Sequence, residues 1–264
     1  DHAGGFLDRV SFGIRAYLAT PRLRGLLALS LTAAAAGAMV FVNTVVYVQA
    51  HLGLDQQHTA FLLAAFGAGS MVVALALPQL LETVSDRRAM LAGSGVMLAG
   101  LLVGALLPGF GVIALVWAAI GCGYATVLLP VGRLLRRSSS EADRPAYFAA
   151  QFALSHGCWL ITYPLAGWLA TSYGLAAAFV VLAAVAAGAM ALATVLWPAT
   201  DPLEIEHSHA PLEHTHLHVH DAHHQHPHEG WEGPEPHAHP HSHGPVRHAH
   251  HFVIDAHHPH WPRQ

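Results

Sequence analysis

The chain has no lysine, only two cysteines and few charged residues of any kind. Charged residues make up 11% of the sequence, against about 25% in ordinary soluble domains. Both cysteines lie inside apolar stretches and do not form a disulfide framework. The arginines are scattered at the ends of those stretches, which excludes a basic patch for nucleic acid. The chain also lacks a P-loop, a Gly-x-Ser-x-Gly motif and paired carboxylates in its apolar stretches, so we expect neither an enzyme nor an ATP-driven pump.

Hydrophobic residues, by contrast, make up 53% of the 264 residues and are concentrated in long runs. Six stretches of 19 to 25 residues contain no Asp, Glu, Lys or Arg and cover about half of the chain. A hydrocarbon core about 30 Å thick requires about 20 apolar residues in a helix. The sequence therefore predicts an all-α membrane protein with six transmembrane helices in residues 26–200. The stretches are Leu26–Ala50, Thr59–Leu81, Ala89–Leu107, Phe110–Val131, Ala146–Ala170 and Gly174–Trp197.

The arginines predict the orientation of these helices. All ten arginines of residues 1–200 precede the first stretch or lie in the second and fourth connections, and the alternate connections carry none. The positive-inside rule then places both termini and the arginine-bearing loops in the cytoplasm. We expect a multi-pass protein in the lipid bilayer of a bacterial inner membrane. Residues 1–25 lack the apolar core of a signal peptide, and a cytoplasmic linker with a helix at the membrane surface is expected there.

The fifth stretch is the most polar of the six. Gln151, Ser155, Cys158 and Thr162 recur at steps of four, three and four residues, which places them on one helix face, with His156 at its edge. Polar groups in hydrocarbon are costly unless they are paired or face water, so they are candidates for a transport path. The alternative is that the stripe forms hydrogen bonds to neighbouring helices.

The candidate transport path comprises five residues. His156 is the most reactive of them, because an imidazole can hold a divalent cation or relay a proton. Ligation by His156 and Cys158 together is awkward, since two residues apart on a helix differ by about 200°. The five residues are Asn43, Gln151, Ser155, His156 and Cys158. Three small residues, Gly67, Gly69 and Gly104, are assigned to close helix packing and not to chemistry.

The last 64 residues form a tail of different composition. Residues 201–264 hold two arginines and nine acidic residues, and 20 of the 24 histidines of the chain. His-rich tracts of this kind indicate metal binding, and neutral imidazole suits Ni²⁺, Co²⁺, Zn²⁺ and Cu²⁺. A His-x-His spacing in an extended chain places alternate residues on one side. The candidate ligands are His207, His209, His214, His216, His218, His220, His223, His224, His226, His228, His237, His239, His241, His243, His248, His250, His251, His257, His258 and His260.

Frequent prolines and a shortage of large apolar residues predict that residues 201–264 are disordered without metal. Two other interpretations of the tail remain open. It could be a simple solvated tail, or a pH-responsive one that gains positive charge on mild acidification. A purification tag would be a contiguous run of histidines at a terminus. The histidines here are interspersed with other residues, which argues against a tag.

Two segments resemble a known family. The loop Leu80–Leu91 is similar to a cytoplasmic loop motif of the major facilitator superfamily, with Asp86 and Arg87 at its Asp-Arg core. The motif's leading glycine is Glu82 here and its later glycine is absent. The stretch Gly132–Leu169, followed by the tail, resembles the nickel-resistance type with a histidine-rich C-terminus. The resemblance implies the C-terminal half of a twelve-helix transporter, a further six-helix half preceding it, and a gating role for Asp86 and Arg87.

Together these observations predict a secondary transporter that exports a divalent transition-metal cation, driven by proton antiport. The metal is not encoded in the residues, since the general affinity order favours copper and nickel comes from the resemblance alone. Two alternatives remain. The protein could export an organic compound, because the fold supports many substrates. It could also be a membrane-anchored metal-sequestering protein that transports nothing.

Overall fold

A computed structural model describes residues 6–201, four short segments of the tail (204–209, 212–218, 237–243 and 246–251) and residues 253, 254 and 261. The chain divides into two compact units. The first comprises Asp1–Asp201 with Val253–Trp261, and the second comprises Pro202–Phe252 with Pro262–Gln264. The first is helical and the described part of the second is extended.

Six long helices and two shorter ones build the helical unit. Each predicted apolar stretch falls almost wholly within one long helix, and α2 continues into a π-helical turn at Val46–His51. The helices are α1 (Phe6–Ala19), α2 (Pro21–Val45), α3 (Gln56–Thr83), α4 (Asp86–Gly104), α5 (Phe110–Leu128), α6 (Val131–Arg137), α7 (Arg144–Tyr173) and α8 (Leu175–Leu196).

Local sequence signals determine where several helices begin. Asp55 caps α3, since its carboxylate accepts the backbone N–H of His58 at 3.1 Å. Ser85 caps α4 in the same way. Gly174, at φ 87°, separates α7 from α8 with a backbone conformation that favours glycine. These caps let consecutive helices reverse direction within a few residues.

Helix α2 forms the centre of the unit and packs against α4, α5, α7 and α8. Its small residues, such as Ala33 to Ala36, are buried and allow these neighbours to approach. Leucines on the outer surfaces remain exposed, among them Leu75 and Leu115. An exposed surface this apolar is typical of a protein surrounded by lipid.

The structure supports an all-α membrane protein, but it does not show six spans. Within the described residues, four helices are long and apolar enough to cross a membrane: Pro21–His51, Gln56–Thr83, Phe110–Arg137 and Leu175–Leu196. Helices α4 and α7 occupy the third and fifth predicted stretches but are less apolar. The first turn of α4 contains Asp86, Arg87 and Arg88, and α7 carries the polar stripe.

The described part of the tail differs from the disorder expected of it. Strand β1 (Glu204–His209) pairs antiparallel with β4 (Val246–His251), and β2 (Leu212–His218) pairs antiparallel with β3 (His237–His243). Each pair is a separate two-stranded sheet. The expectation of disorder was based on the prolines and on the small number of large apolar residues. Antiparallel pairing satisfies backbone hydrogen-bonding groups without a large core.

Candidate functional site

A groove of about 530 Å³ opens along α7 in the helical unit, and it brings together three of the five predicted path residues. Gln151, Ser155 and His156 line it from successive turns of α7. Ser30 of α2 and residues of α5 and α6 complete it. The lining residues are Ser30, Leu128, Val131, Leu135, Phe148, Gln151, Phe152, Ser155, His156 and Trp159.

Gln151 connects three helices at the buried side of the groove. Its Oε1 accepts a hydrogen bond from the hydroxyl of Tyr17 on α1. Its Nε2 donates to Ser30 Oγ at 3.4 Å, and that hydroxyl donates to the carbonyl of Leu26. Both ends of the amide are therefore engaged in helix packing, and Gln151 holds the groove wall in place.

His156 lines the groove, and one of its ring nitrogens is engaged within α7. Its Nδ1 lies 2.8 Å from the carbonyl oxygen of Phe152, so Nδ1 donates and Nε2 is the acceptor nitrogen of the neutral ring. The imidazole is exposed and stacks on Phe152, with ring centroids 3.9 Å apart. Within the described residues, no three His, Cys, Asp or Glu side chains are close enough to hold a metal ion together.

An aromatic cluster next to His156 was not among the predicted site residues. Trp159 is stacked with Phe41 at 6.3 Å between centroids, and lies 6.1 Å from Tyr124 and 5.2 Å from Tyr163. The sequence does carry a signal for part of this cluster, because Phe152, His156, Trp159 and Tyr163 recur at helical spacing on α7. The partners on α2 and α5 follow only from the packing.

Asn43 and Cys158, the other two predicted path residues, do not line the groove. Asn43 is buried, and its Nδ2 donates to the carbonyl of Ala166 at 3.1 Å, which connects α2 to α7. Cys158 is half-buried, and its thiol donates to Leu154 within the same helix. Thr162 of the stripe donates to the carbonyl of Ala34. Asn43 and Thr162 thus form interhelical hydrogen bonds of the kind that the alternative interpretation describes.

The predicted gating residues connect the α3–α4 turn to two other helices. Asp86 is buried and accepts hydrogen bonds from Nε, at 3.1 Å, and Nη2 of Arg133 on α6. Arg87 donates to the carbonyls of Trp197, at 2.8 Å, and Thr194, at 3.3 Å, at the end of α8. Arg87 thereby binds carbonyls that a helix end leaves unpaired.

The strand register aligns several tail histidines. His214, His216 and His218 occupy alternate positions of β2, directly opposite His241, His239 and His237 of β3. The other strand histidines are His207, His209, His243, His248, His250 and His251. Eight of the predicted ligands lie outside the described residues: His220, His223, His224, His226, His228, His257, His258 and His260.

Comparison with known proteins identifies the family. A search of curated proteins finds no match to the chain. The model of the Major Facilitator Superfamily matches residues 26–233, which is more than half of the chain and contains every helix from α3 to α8. The chain therefore belongs to the Major Facilitator Superfamily, a family of membrane transporters.

Proposed function

We propose that this protein is a secondary active transporter with six membrane spans that exports a divalent transition-metal cation, such as nickel or cobalt, in exchange for protons. The observation that carries the proposal is the tail, whose 20 histidines accompany a transporter body. Borderline divalent cations such as Ni²⁺ and Co²⁺ are the ions that imidazole binds well. The positive-inside rule supports a cytoplasmic tail in a bacterial inner membrane.

His156 supports exchange of metal for protons. A metal ion binds the neutral imidazole, and a proton at the same Nε2 prevents that binding. The ring therefore binds either a metal ion or a proton, but not both at once, as antiport requires. An ion held by one imidazole retains water ligands and binds weakly enough to leave.

A second six-helix unit facing the groove belongs to this proposal. Transporters of this fold move their substrate by rocking one half against the other around a site near the bilayer midplane. The groove residues Phe152 and His156 are exposed, and so are Phe41 and Leu160 on neighbouring surfaces. An opposing helical unit would cover them and supply further ligands. The contacts of Asp86 and Arg87 would then act on the cytoplasmic side as the gate.

Metal uptake by everted membrane vesicles tests the groove. The vesicles are prepared from a metal-sensitive host that expresses the complete gene. We expect His156→Gln to abolish proton-driven Ni²⁺ or Co²⁺ uptake, because a glutamine amide neither takes up a proton nor binds these cations as an imidazole does. The matched control is His58→Gln, whose exposed imidazole contacts Asp55 at the start of α3, away from the groove. Equal loss of uptake in both variants would contradict a specific role for His156.

Removal of residues 204–251 tests the tail and separates the proposal from metal storage. We expect the deletion to raise the metal concentration needed for half-maximal uptake, since the tail collects cations for the transporter. Unchanged uptake together with lost metal tolerance would favour a sequestering role. Unchanged uptake and unchanged tolerance would contradict any role for the tail in metal handling.

The aromatic cluster favours a second candidate, export of an organic compound. Aromatic faces around Trp159 suit a flat or cationic organic molecule, through stacking or cation–π contacts. Under this alternative Trp159→Ala abolishes export of a fluorescent organic cation, and deleting the tail has no effect. Metal uptake that survives Trp159→Ala would favour the metal exporter instead.

A further inference from the structure

The far end of the tail returns to the helical unit. Ile254 is 4% exposed, and its carbonyl accepts a hydrogen bond at 3.2 Å from the hydroxyl of Tyr147 on α7. The ring of Trp261 lies over the guanidinium of Arg22 on α2, with 5.0 Å from Cζ to the ring centroid. Chain ends are usually poorly ordered unless specific contacts hold them. Here a buried aliphatic residue and an indole provide such contacts.

The surface that receives this segment is rich in arginine and short of carboxylate. Arg22 is 1% exposed, and its Nε lies 3.6 Å from a carboxylate oxygen of Asp201. Arg137 Nη2 lies 3.2 Å from the other oxygen of Asp201, so two cations share one anion. We call Arg22, Arg137, Tyr147 and Asp201 the arginine surface.

Arg22 needs a further partner. None of its three guanidinium nitrogens has a hydrogen bond with a residue that the structure describes. Burying a cation without full compensation is costly. An aromatic face lowers that cost, and cation–π contacts gain strength when the pair is shielded from water. The indole ring of Trp261 therefore stabilises the buried guanidinium of Arg22, in addition to burying its own apolar surface.

We propose that Val253, Ile254 and Trp261 form a latch that docks on the arginine surface and closes the preceding His-rich stretch into a loop. Both ends of this loop then belong to the helical unit. Closing a loop costs conformational entropy. Contacts between residues within the loop already restrict it, so that less entropy is lost when its ends come together. Metal bound within the loop therefore strengthens docking, and docking strengthens metal binding by the same factor. This coupling rests on the proposed metal binding, whereas docking does not.

Hydrogen exchange of the full-length chain, read by mass spectrometry, tests docking without metal. We expect backbone amides of the 253–261 segment to exchange several-fold faster in Ile254→Asp and in Trp261→Ala than in the unaltered protein. Trp231→Ala removes the same side chain from within the His-rich stretch and should leave that rate unchanged. Far-ultraviolet circular dichroism verifies that each variant keeps its helices.

Two results would overturn docking. One is exchange of 253–261 in the unaltered protein at the rate of an unstructured peptide. The other is acceleration by Trp231→Ala as large as that by Trp261→Ala.

The coupling is tested by repeating the exchange measurement with Ni²⁺. We expect Ni²⁺ to slow exchange of the 253–261 segment several-fold further in the unaltered protein. Ni²⁺ binding by calorimetry with no change in exchange would overturn the coupling. A lack of Ni²⁺, Zn²⁺ and Cu²⁺ binding by calorimetry would overturn the metal role of the tail, while metal-free protection would still support the latch.

Discussion

Two glycines of α3, two residues apart, should respond in opposite directions to the same substitution. A Cβ at Gly69 would overlap the backbone carbonyl of Ala118 on α5, whereas a Cβ at Gly67 meets nothing within 4 Å. The contact is reciprocal, since a Cβ at Gly121 on α5 would overlap the carbonyl of Phe66. We predict that Gly69→Ala destabilises the protein and that Gly67→Ala stabilises it.

The magnitude follows from two opposing effects. Replacing glycine by alanine inside a helix stabilises it by about 1 kcal/mol, and this gain applies at both positions. Overpacking costs about 1–3 kcal/mol and applies at Gly69 alone, since only there does the new Cβ meet a neighbour. The cost persists because a backbone carbonyl cannot rotate away as a side chain can. The two variants should differ by about 1–3 kcal/mol, or about 2–12 °C in melting temperature at 2–4 °C per kcal/mol.

Thermal unfolding in detergent measures this difference. The native cysteines serve as probes, because both are free and half-buried and react with a thiol-sensitive dye once the helices separate. Cys122 donates to the carbonyl of Gly69 at 3.3 Å and so reports on the α3–α5 contact itself. Circular dichroism provides an independent melting curve. Equal melting temperatures for the Gly67→Ala and Gly69→Ala variants would refute the reasoning.

Three further predictions concern polar contacts. Thr44→Val leaves the indole N–H of Trp117, now 2.8 Å from the Thr44 hydroxyl, buried without an acceptor, and should cost about 1–3 kcal/mol; a melt equal to that of the unaltered protein would contradict this. In a double-mutant cycle of thermal melts, Asp86→Asn and Arg133→Gln should couple by about 1 kcal/mol, since Arg133 is 44% exposed and solvent weakens the pair; zero coupling would count against a working ion pair. Hydrogen bonds from the side chain and the backbone N–H of His58 lower the pKa of the Asp55 carboxyl. Its stabilisation is therefore present above the ordinary carboxyl pKa and lost as pH falls through the lower folded value, so Asp55→Ala should flatten the acid limb of the melting profile.

The helices could largely be predicted from the sequence, because length and hydropathy are sums over neighbouring residues. Each apolar stretch lies in a long helix, and the helix caps at Asp55 and Ser85 are local contacts. The Asp-Arg core of the α3–α4 turn also lies where the family motif implies. The direction of insertion, by contrast, stays a prediction from the arginine distribution.

The groove was predicted only in part. Helical spacing placed Gln151, Ser155 and His156 close together along α7, and they do line one groove. The same spacing included Cys158, and polarity alone suggested Asn43, yet both residues lie elsewhere. Periodicity shows which residues share a helix face, but it does not show what lies opposite that face.

The sequence by itself determined the apolar lengths, the helix starts and the concentration of imidazoles in the tail, because each depends on residues adjacent in the chain. Only the tertiary structure decided that Gly69 touches a carbonyl while Gly67 does not, and that Trp261 lies over Arg22. These outcomes depend on which segment packs opposite, often more than a hundred residues away in the chain. A contact of that kind leaves no period or composition in the local sequence.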